Sequence, residues 1–587
     1  MGAAGLAIAL TCGATACSVI PTGGKSIAVA NARKGNPLSE PYARVIAVPP
    51  SADWSPEEVV TGFRAAMASV DDAGREVARK YLTDDFAGKW NPYSKVTVYK
   101  QDGKQDEYEK VPLAQEGSEQ TRVTLKGTVT AEIDQDGRYW PGISPLNEPF
   151  TLVKGANGWR ISAAPDGLLL SEGDLDRAYL KVDLYFLDSA WKGLVIDQVR
   201  VPIDPTSNFA KTVVERLLKG PSSLLRKAVN SAFRPGTELI DVTTENNRVV
   251  VNLTDRVDAD RIDAMSAQLA GTLAELTNGG WGFEVRVDGE PYYSDTWLPI
   301  DAQEQAQFDP WVTPPEVYPY YLAGGALRLL GKDSVGQQVQ GRAGEKDDAR
   351  THPAISGQGQ VAALSKDGRK VSVASLTPGG EWRDWITGDS LTPPSWDRYN
   401  TLWAVNRPND HASAVVRHDG RRQYPVSAPD LETVYVKSLK VARDGVHVAV
   451  VVKEGTEEQV KIGTVVGRDG NTSITDLQAV VPGDGGQTIE DIAWKDGKTL
   501  YVLTGKSELL EASATDEPKS LASDSRIQSI TALDGSLLAG AKDDNDNRQV
   551  LSWNRNSAKW EPVVKDETGS TAFAEKDGPS SPAYPLG

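Results

Sequence analysis

The chain has 587 residues, 39% hydrophobic and 25% charged, with 63 Lys+Arg against 81 Asp+Glu for a formal net charge of −18. Such a composition is globular, and the length predicts three or four domains, or two small ones and a larger all-β one. The acidic balance repels phosphate backbones and argues against nucleic-acid binding.

The chain opens on an apolar, uncharged run over residues 3–10 that ends in Ala14-Thr15-Ala16 just before Cys17. This pattern predicts an export signal over residues 1–16. Small residues before a cysteine resemble a bacterial lipobox, which makes Cys17 the residue expected to carry a diacylglycerol. Ala14 departs from the preferred Leu, and no Lys or Arg precedes the apolar run, so the expected translation start lies upstream of Met1. Cys12 fits less well because the branched Thr11 precedes it, and Met1-Gly2 lacks the Ser or Thr of a myristoylation signal, having Leu6 there instead. Residues 17–45, with Ser18-Val19-Ile20-Pro21-Thr22-Gly23-Gly24 and no periodicity, read as a flexible tether.

A first α+β domain is expected over residues 46–175. Ser55-Pro56-Glu57-Glu58 supplies a cap, a first-turn proline and a capping box for a helix whose face is Val59, Phe63, Met67 and Val70. Asp71-Asp72 opens a second helical pattern through Val77, Tyr81 and Leu82. Alternation over residues 95–100, 121–134, 150–154 and 159–162 predicts strands, with turns at Asp102-Gly103 and Asp136-Gly137. Helices on a curved antiparallel sheet suggest a cone of the nuclear transport factor 2-like kind, in which Trp90 and Tyr93 either line the cone or fill the core.

A second α+β domain is expected over residues 176–300, as helices against one mixed sheet. Val182, Leu184 and Phe186 alternate with polar residues, and residues 193–201 supply another strand. A helix starting near Ser207 or Asn208 carries Val213, Val214, Leu217 and Leu218 and stops at Gly220-Pro221. A strand over 248–253 precedes a periodic helix with Ile262, Met265, Leu269, Leu273 and Leu276, which ends at Asn278-Gly279-Gly280. A last strand spans 283–287.

After a linker over 301–317, no helical pattern remains. Four runs repeat around an Asp-Gly pair, at Gly368, Gly445, Gly497 and Gly535, separated by 77, 52 and 38 residues. The stretch from Ser395-Trp396 to Leu402-Trp403-Ala404-Val405 fills the long gap without that turn. Repetition of this length predicts a β-propeller of five to seven blades over residues 318–570, with a tail at 571–587.

Cys17 with its Ser/Pro/Gly tether, the Leu217-Leu218-Lys219-Gly220-Pro221 helix end and a degenerate carboxyl-terminal propeller stand in one order. That order resembles the LpqB family of actinobacterial lipoproteins, and the second domain resembles a GerMN domain. The resemblance implies a non-enzymatic accessory of the MtrA-MtrB two-component system, which binds and modulates the extracytoplasmic region of the sensor histidine kinase MtrB. It also implies a lipid-anchored position on the extracytoplasmic face of the cell membrane.

Catalytic and ligand motifs are sparse. The two cysteines leave the folded body without a thiol, and all four histidines (His352, His411, His418, His447) fall in the last 236 residues, so no cofactor, metal or catalytic residue is expected. Gly357-Gln358-Gly359 imitates a dinucleotide loop but runs into a hairpin rather than a helix. Asp543-Asp544-Asn545-Asp546-Asn547 imitates a calcium loop but has Arg548 where glycine is required. The alternatives are a cell-wall carbohydrate-binding or hydrolytic propeller, with Trp382, Trp385, Trp396 and Trp403 stacking on sugars, and a passive assembly or peptidoglycan-binding protein in which the α+β domain does the binding.

Overall fold

The computed structural model describes residues 47–69, 75–100, 107–113, 119–203, 209–245, 247–255, 258–274, 276–277, 282–292, 298–299, 307–313, 316–467, 471–483, 486–565 and 575–587. The signal, Cys12, Cys17 and the tether lie outside the described residues, as do Asp71-Asp72, Asp102-Gly103, Ser207, Asn208 and Asn278-Gly279-Gly280.

The first domain is built as its periodicity requires. Helix α1 (Pro56–Met67) is capped by Ser55, whose Oγ accepts the Glu58 N–H while Glu58 returns a bond to the Ser55 N–H. It buries Val59, Phe63 and Met67 against a sheet ordered Gly158–Ala163, Tyr139–Gly155, Gln120–Ile133, Val96–Lys100, Leu168–Ser171, with Glu107–Leu113 paired to the third of these. The second helical pattern yields only the short helix α2 (Glu76–Arg79) within the described residues. Trp90 is plain core, 2% exposed and 5.2 Å from Phe63, whereas Tyr93 points outward.

The second domain differs from the single mixed sheet expected. It has two sheets, a three-stranded one centred on Tyr179–Asp188 and a mixed one that contains the parallel pair Arg248–Leu253 and Gly282–Val287. Helix α3 (Ile262–Ala274) accounts for the split. It crosses Tyr179–Asp188 so closely that a Cβ at Gly271 would meet the Tyr185 ring at 2.8 Å, and its Thr272 hydroxyl accepts the Tyr185 N–H. The backbone donor at that strand edge is therefore taken by the helix. Helix α4 (Phe209–Leu218) buries Val213, Val214 and Leu217 in the same core.

Among the described residues, six four-stranded antiparallel sheets form the propeller, one within the predicted range of blade numbers. Blades 2 to 6 run in sequence from Arg350–Ile355 to Lys559–Pro562. Blade 1 takes Tyr320–Ala323, Ala326–Leu330 and Gly336–Gln338 from the start of the domain, and its remaining strand, Ser580–Ala583, from the end. The segment 571–587 is thus no tail. Its described part closes the ring, and Tyr584, next after the strand, is tied to blade 6 by its N–H, which donates to Thr531 Oγ1 at 3.1 Å.

The glycine repeat is out of phase at one copy. Gly445, Gly497 and Gly535 join the first and second strands of blades 4, 5 and 6, but Gly368 joins the second and third strands of blade 2. Asp-Gly marks any tight hairpin that needs a positive φ, as at Gly368 (+70°) and Gly445 (+72°), and not a fixed place in a blade. The pair matching Gly445 in blade 2 is the Gly357-Gln358-Gly359 turn, so the false dinucleotide loop is a blade hairpin.

Candidate functional site

The three domains meet at one buried junction. The hairpin turn of the first domain brings Arg138 and Tyr139. The strand Leu194–Pro202 of the second domain brings Asp197, Gln198 and Arg200, and the hairpins of blades 4 and 5 bring His447, Lys498 and Thr515. Arg138 donates from Nε and Nη2 to Gln478 Oε1 at 3.2 and 2.9 Å, while Gln478 Nε2 donates to the Tyr139 carbonyl at 2.9 Å. Arg200, only 5% exposed, pairs with Asp516 at 3.2 Å, and Lys181 joins the same carboxylate. Lys498 pairs with the nearly inaccessible Asp183, and Thr515 donates to Gln198. On the far side, Asp188 accepts from Tyr399 and lies 3.9 Å from Arg398.

Phe308 and Pro310, in the segment expected as a linker, are clamped in the same seam. The Phe308 carbonyl accepts the Leu194 N–H at 2.7 Å, and Arg443 donates to the carbonyls of Pro310 at 3.1 Å and Pro585 at 2.7 Å. Burial, with Arg398 close by, pushes the Arg443 guanidinium down to about 10.

At the centre, His447 Nδ1 and Asp444 Oδ2 are 2.6 Å apart, and Asp444 also accepts the N–H groups of Val446 and His447. Burial alone would lower the imidazole, but the carboxylate of Asp444, and more distantly Asp197, holds it above its ordinary value. Burial opposes ionisation of Asp444 as well, yet His447 and the two N–H donors hold it below the usual range. Asp197 is pushed up by burial against the opposing bonds from Ser222, whose N–H and Oγ reach it at 2.6 and 2.8 Å.

A histidine, a serine and two aspartates invite comparison with a hydrolase, but the bonding is wrong for one. Ser222 Oγ donates to a carboxylate, so no imidazole is placed to take its proton. The cavity there measures about 30 Å³, room for a water but not a substrate. What the arrangement does is lock three domains together.

Other sequence candidates lie elsewhere. Trp396 and Trp403 are 3% exposed and donate to the Ala354 carbonyl and to Asp397, so they are core and not sugar platforms. Trp382 lies under Arg350, and Trp385 stacks on His418 at 4.6 Å. Asp543 accepts the N–H groups of Asn545 and Asn547 as an ordinary hairpin turn. No cluster of three or more His, Cys, Asp or Glu side chains suited to a metal occurs among the described residues. The junction aspartates were not singled out from the sequence. Their one signal is a carboxylate set inside an otherwise apolar strand, as Asp183 sits between Val182 and Leu184.

Fold and junction together define a class: a three-domain protein in which two α+β units are fixed to a propeller. Residues 49–176 match the family described as "Lipoprotein LpqB, N-terminal domain", 183–293 match "Sporulation and spore germination" (Germane), and 325–572 match "Lipoprotein LpqB beta-propeller domain". The chain is 30% identical to Lipoprotein LpqB of Thermobifida fusca, covering 93% of this chain and 96% of that one. It is 31% identical to its counterpart in Streptomyces coelicolor over 79% and 78%. The chain belongs to the LpqB lipoprotein family, whose matched members are named as lipoproteins and not as enzymes. Solved structures are more remote. A chain from a nidogen/laminin complex covers 46% of this one at 12% identity and a TM-score of 0.34, and a puromycin-hydrolyzing peptidase of Mycobacterium tuberculosis covers 42% at 14% identity and 0.26. Neither likeness bears on function.

Proposed function

We infer that this chain is an exported lipoprotein, held at the extracytoplasmic face of the cell membrane by a diacylglycerol on Cys17. There it binds and modulates the extracytoplasmic sensor region of an MtrB-like histidine kinase, affecting envelope and division signalling. Membership of the LpqB family over nearly the whole chain carries this reading. Two features support it. No helix among the described residues is long and apolar enough to cross a membrane, which is compatible with a lipid anchor. The junction engages Arg200 and Lys498 in interdomain ion pairs and His447 in a bond to Asp444 of its own blade, which suits a rigid binding body better than a reaction site. Anchoring also raises local concentration, so a modest pairwise affinity suffices to populate a complex.

The test is direct binding of the chain from Ser18 onward, which keeps every described residue, to the purified sensor region of the cognate kinase. Saturable binding at micromolar concentration or tighter is expected. Absence of binding up to about a millimolar would overturn direct contact.

A further inference from the structure

A cleft of about 780 Å³ opens between the N-terminal and Germane domains and borders the propeller junction at Gly137 and Arg200. One wall is the Asn91–Lys95 loop and the Ile133–Gln135 turn. The other is the end of the strand Leu194–Pro202 and one side of α4. Its lining inverts the charge of the molecule. On a chain of net charge −18 it gathers Arg75, Lys95, Arg200, Lys211, Arg216 and Lys219 against two carboxylates, Asp134 and Glu215.

Four of these cations are engaged inside the protein. Arg200 holds Asp516, Lys95 pairs with Glu132, Arg216 donates to the Asp136 and Gly220 carbonyls, and Arg75 donates to the Ser69 carbonyl. Lys211 and Lys219 line the opening. Lys211, Glu215 and Lys219 are spaced by four and form one stripe along α4 and its end, and Lys211 approaches Glu215 only to 3.9 Å. At the cleft floor Arg75 is 8% exposed, and its Nε has no hydrogen-bond partner among the described residues. Tyr93, 62% exposed, stands on the opposite lip.

A concave site with low-dielectric walls concentrates this positive potential and draws in anions. The spacing sets the shape of the anion. Eight residues of helix separate Lys211 from Lys219 by about 12 Å, which matches the separation of about 13 Å between residues i and i+4 of an extended chain. A single phosphate would meet one end of that stripe only. A volume near 780 Å³ is within the range of clefts that take a drug-sized ligand, roughly a few side chains of a docked segment.

We propose that this cleft is the docking site for an extended acidic segment of the partner protein, with carboxylates on Lys211 and Lys219 and an apolar or aromatic side chain against Tyr93. The assignment rests on the kinase-binding reading above and names the surface that performs it.

The experiment measures binding of the chain from Ser18 onward to the kinase sensor region, with a Lys211→Glu/Lys219→Glu variant and a Lys366→Glu/Lys506→Glu control whose lysines lie in propeller turns. Thermal unfolding checks that all three fold alike. The expected result is a loss of roughly tenfold or more for the cleft variant, chiefly through slower association, and a change within about twofold for the control. Equal affinities for the two variants would overturn the cleft and leave the kinase-binding reading standing. No binding by the unaltered chain would overturn both. Unchanged kinase binding together with lost binding to vesicles of anionic lipid would reassign the cleft to the membrane and overturn the proposal.

Discussion

His447 illustrates how a buried charge acquires a purpose from its neighbour. Its imidazole is held above its ordinary value by Asp444, so the protonated form belongs to the folded state. The stability this adds is fully present below the unfolded histidine value of about 6.5 and is lost as pH rises through the higher folded value. For Asp444 the direction is opposite, with stability present above its unfolded value and lost as pH falls through the folded one. His447→Gln is therefore expected to cost on the order of 3 kcal/mol near pH 6, and less at pH 9. Urea unfolding of both proteins at the two pH values tests this: a gap that does not change with pH means that the imidazole titrates alike folded and unfolded, and one that widens toward pH 9 means that it is neutral in the fold. None of this pairing follows from sequence, although the two residues are only three apart. Asp444-Gly445 reads as a hairpin turn, and the turn does not reveal that another domain seals it from water.

At the scale of elements, periodicity was a good guide and turn signals a poorer one. The 3-4-4-3 spacing of Ile262, Met265, Leu269, Leu273 and Leu276 and the alternation at Val182, Leu184 and Phe186 survive intact because each records a face that must be buried. The Asp-Gly repeats locate hairpins but not their place in a blade, since Gly368 sits one hairpin later in its blade than the other three. Ring closure by Ser580–Ala583 left no local trace either, since its partner strand Tyr320–Ala323 lies at the other end of the domain. Ending the chain after Pro579 should remove that strand together with Ala583 and Tyr584, both buried. We expect a loss of several kcal/mol, about 3 to 5, read as a lower thermal midpoint and rapid proteolysis within blade 1. An unchanged midpoint would show that the ring does not need its closing strand.

For the molecule as a whole, the junction makes the domains one mechanical body. The contacts that do this join residues more than 300 positions apart, as in Arg138 with Gln478 and Arg200 with Asp516, so no spacing rule could have exposed them. Asp516→Lys would set a like charge against Lys181 and Arg200 and leave the nearly buried Arg200 without its principal carboxylate. The expected outcome is a single thermal transition that splits in two, with faster amide exchange over Tyr179–Asp188 and Leu194–Pro202. Retention of one cooperative transition would mean that apolar contact alone couples the domains. The same rigidity would fix the geometry of the basic cleft, because its two walls are themselves tied by the bond from the Arg200 N–H to the Gly137 carbonyl at 2.7 Å.

Ring closure by the last strand also sets a timetable. As the chain is made, Tyr320–Ala323 emerges with one edge unpaired and waits for about 250 further residues before Ser580–Ala583 can fill it. At about 5 to 20 residues per second that is roughly 10 to 50 s of exposed strand edge. An open edge of this kind is a template for pairing with other chains. The propeller is therefore most exposed to misassembly while it is being born, and whatever shields that edge during synthesis decides how much of the protein reaches its folded form.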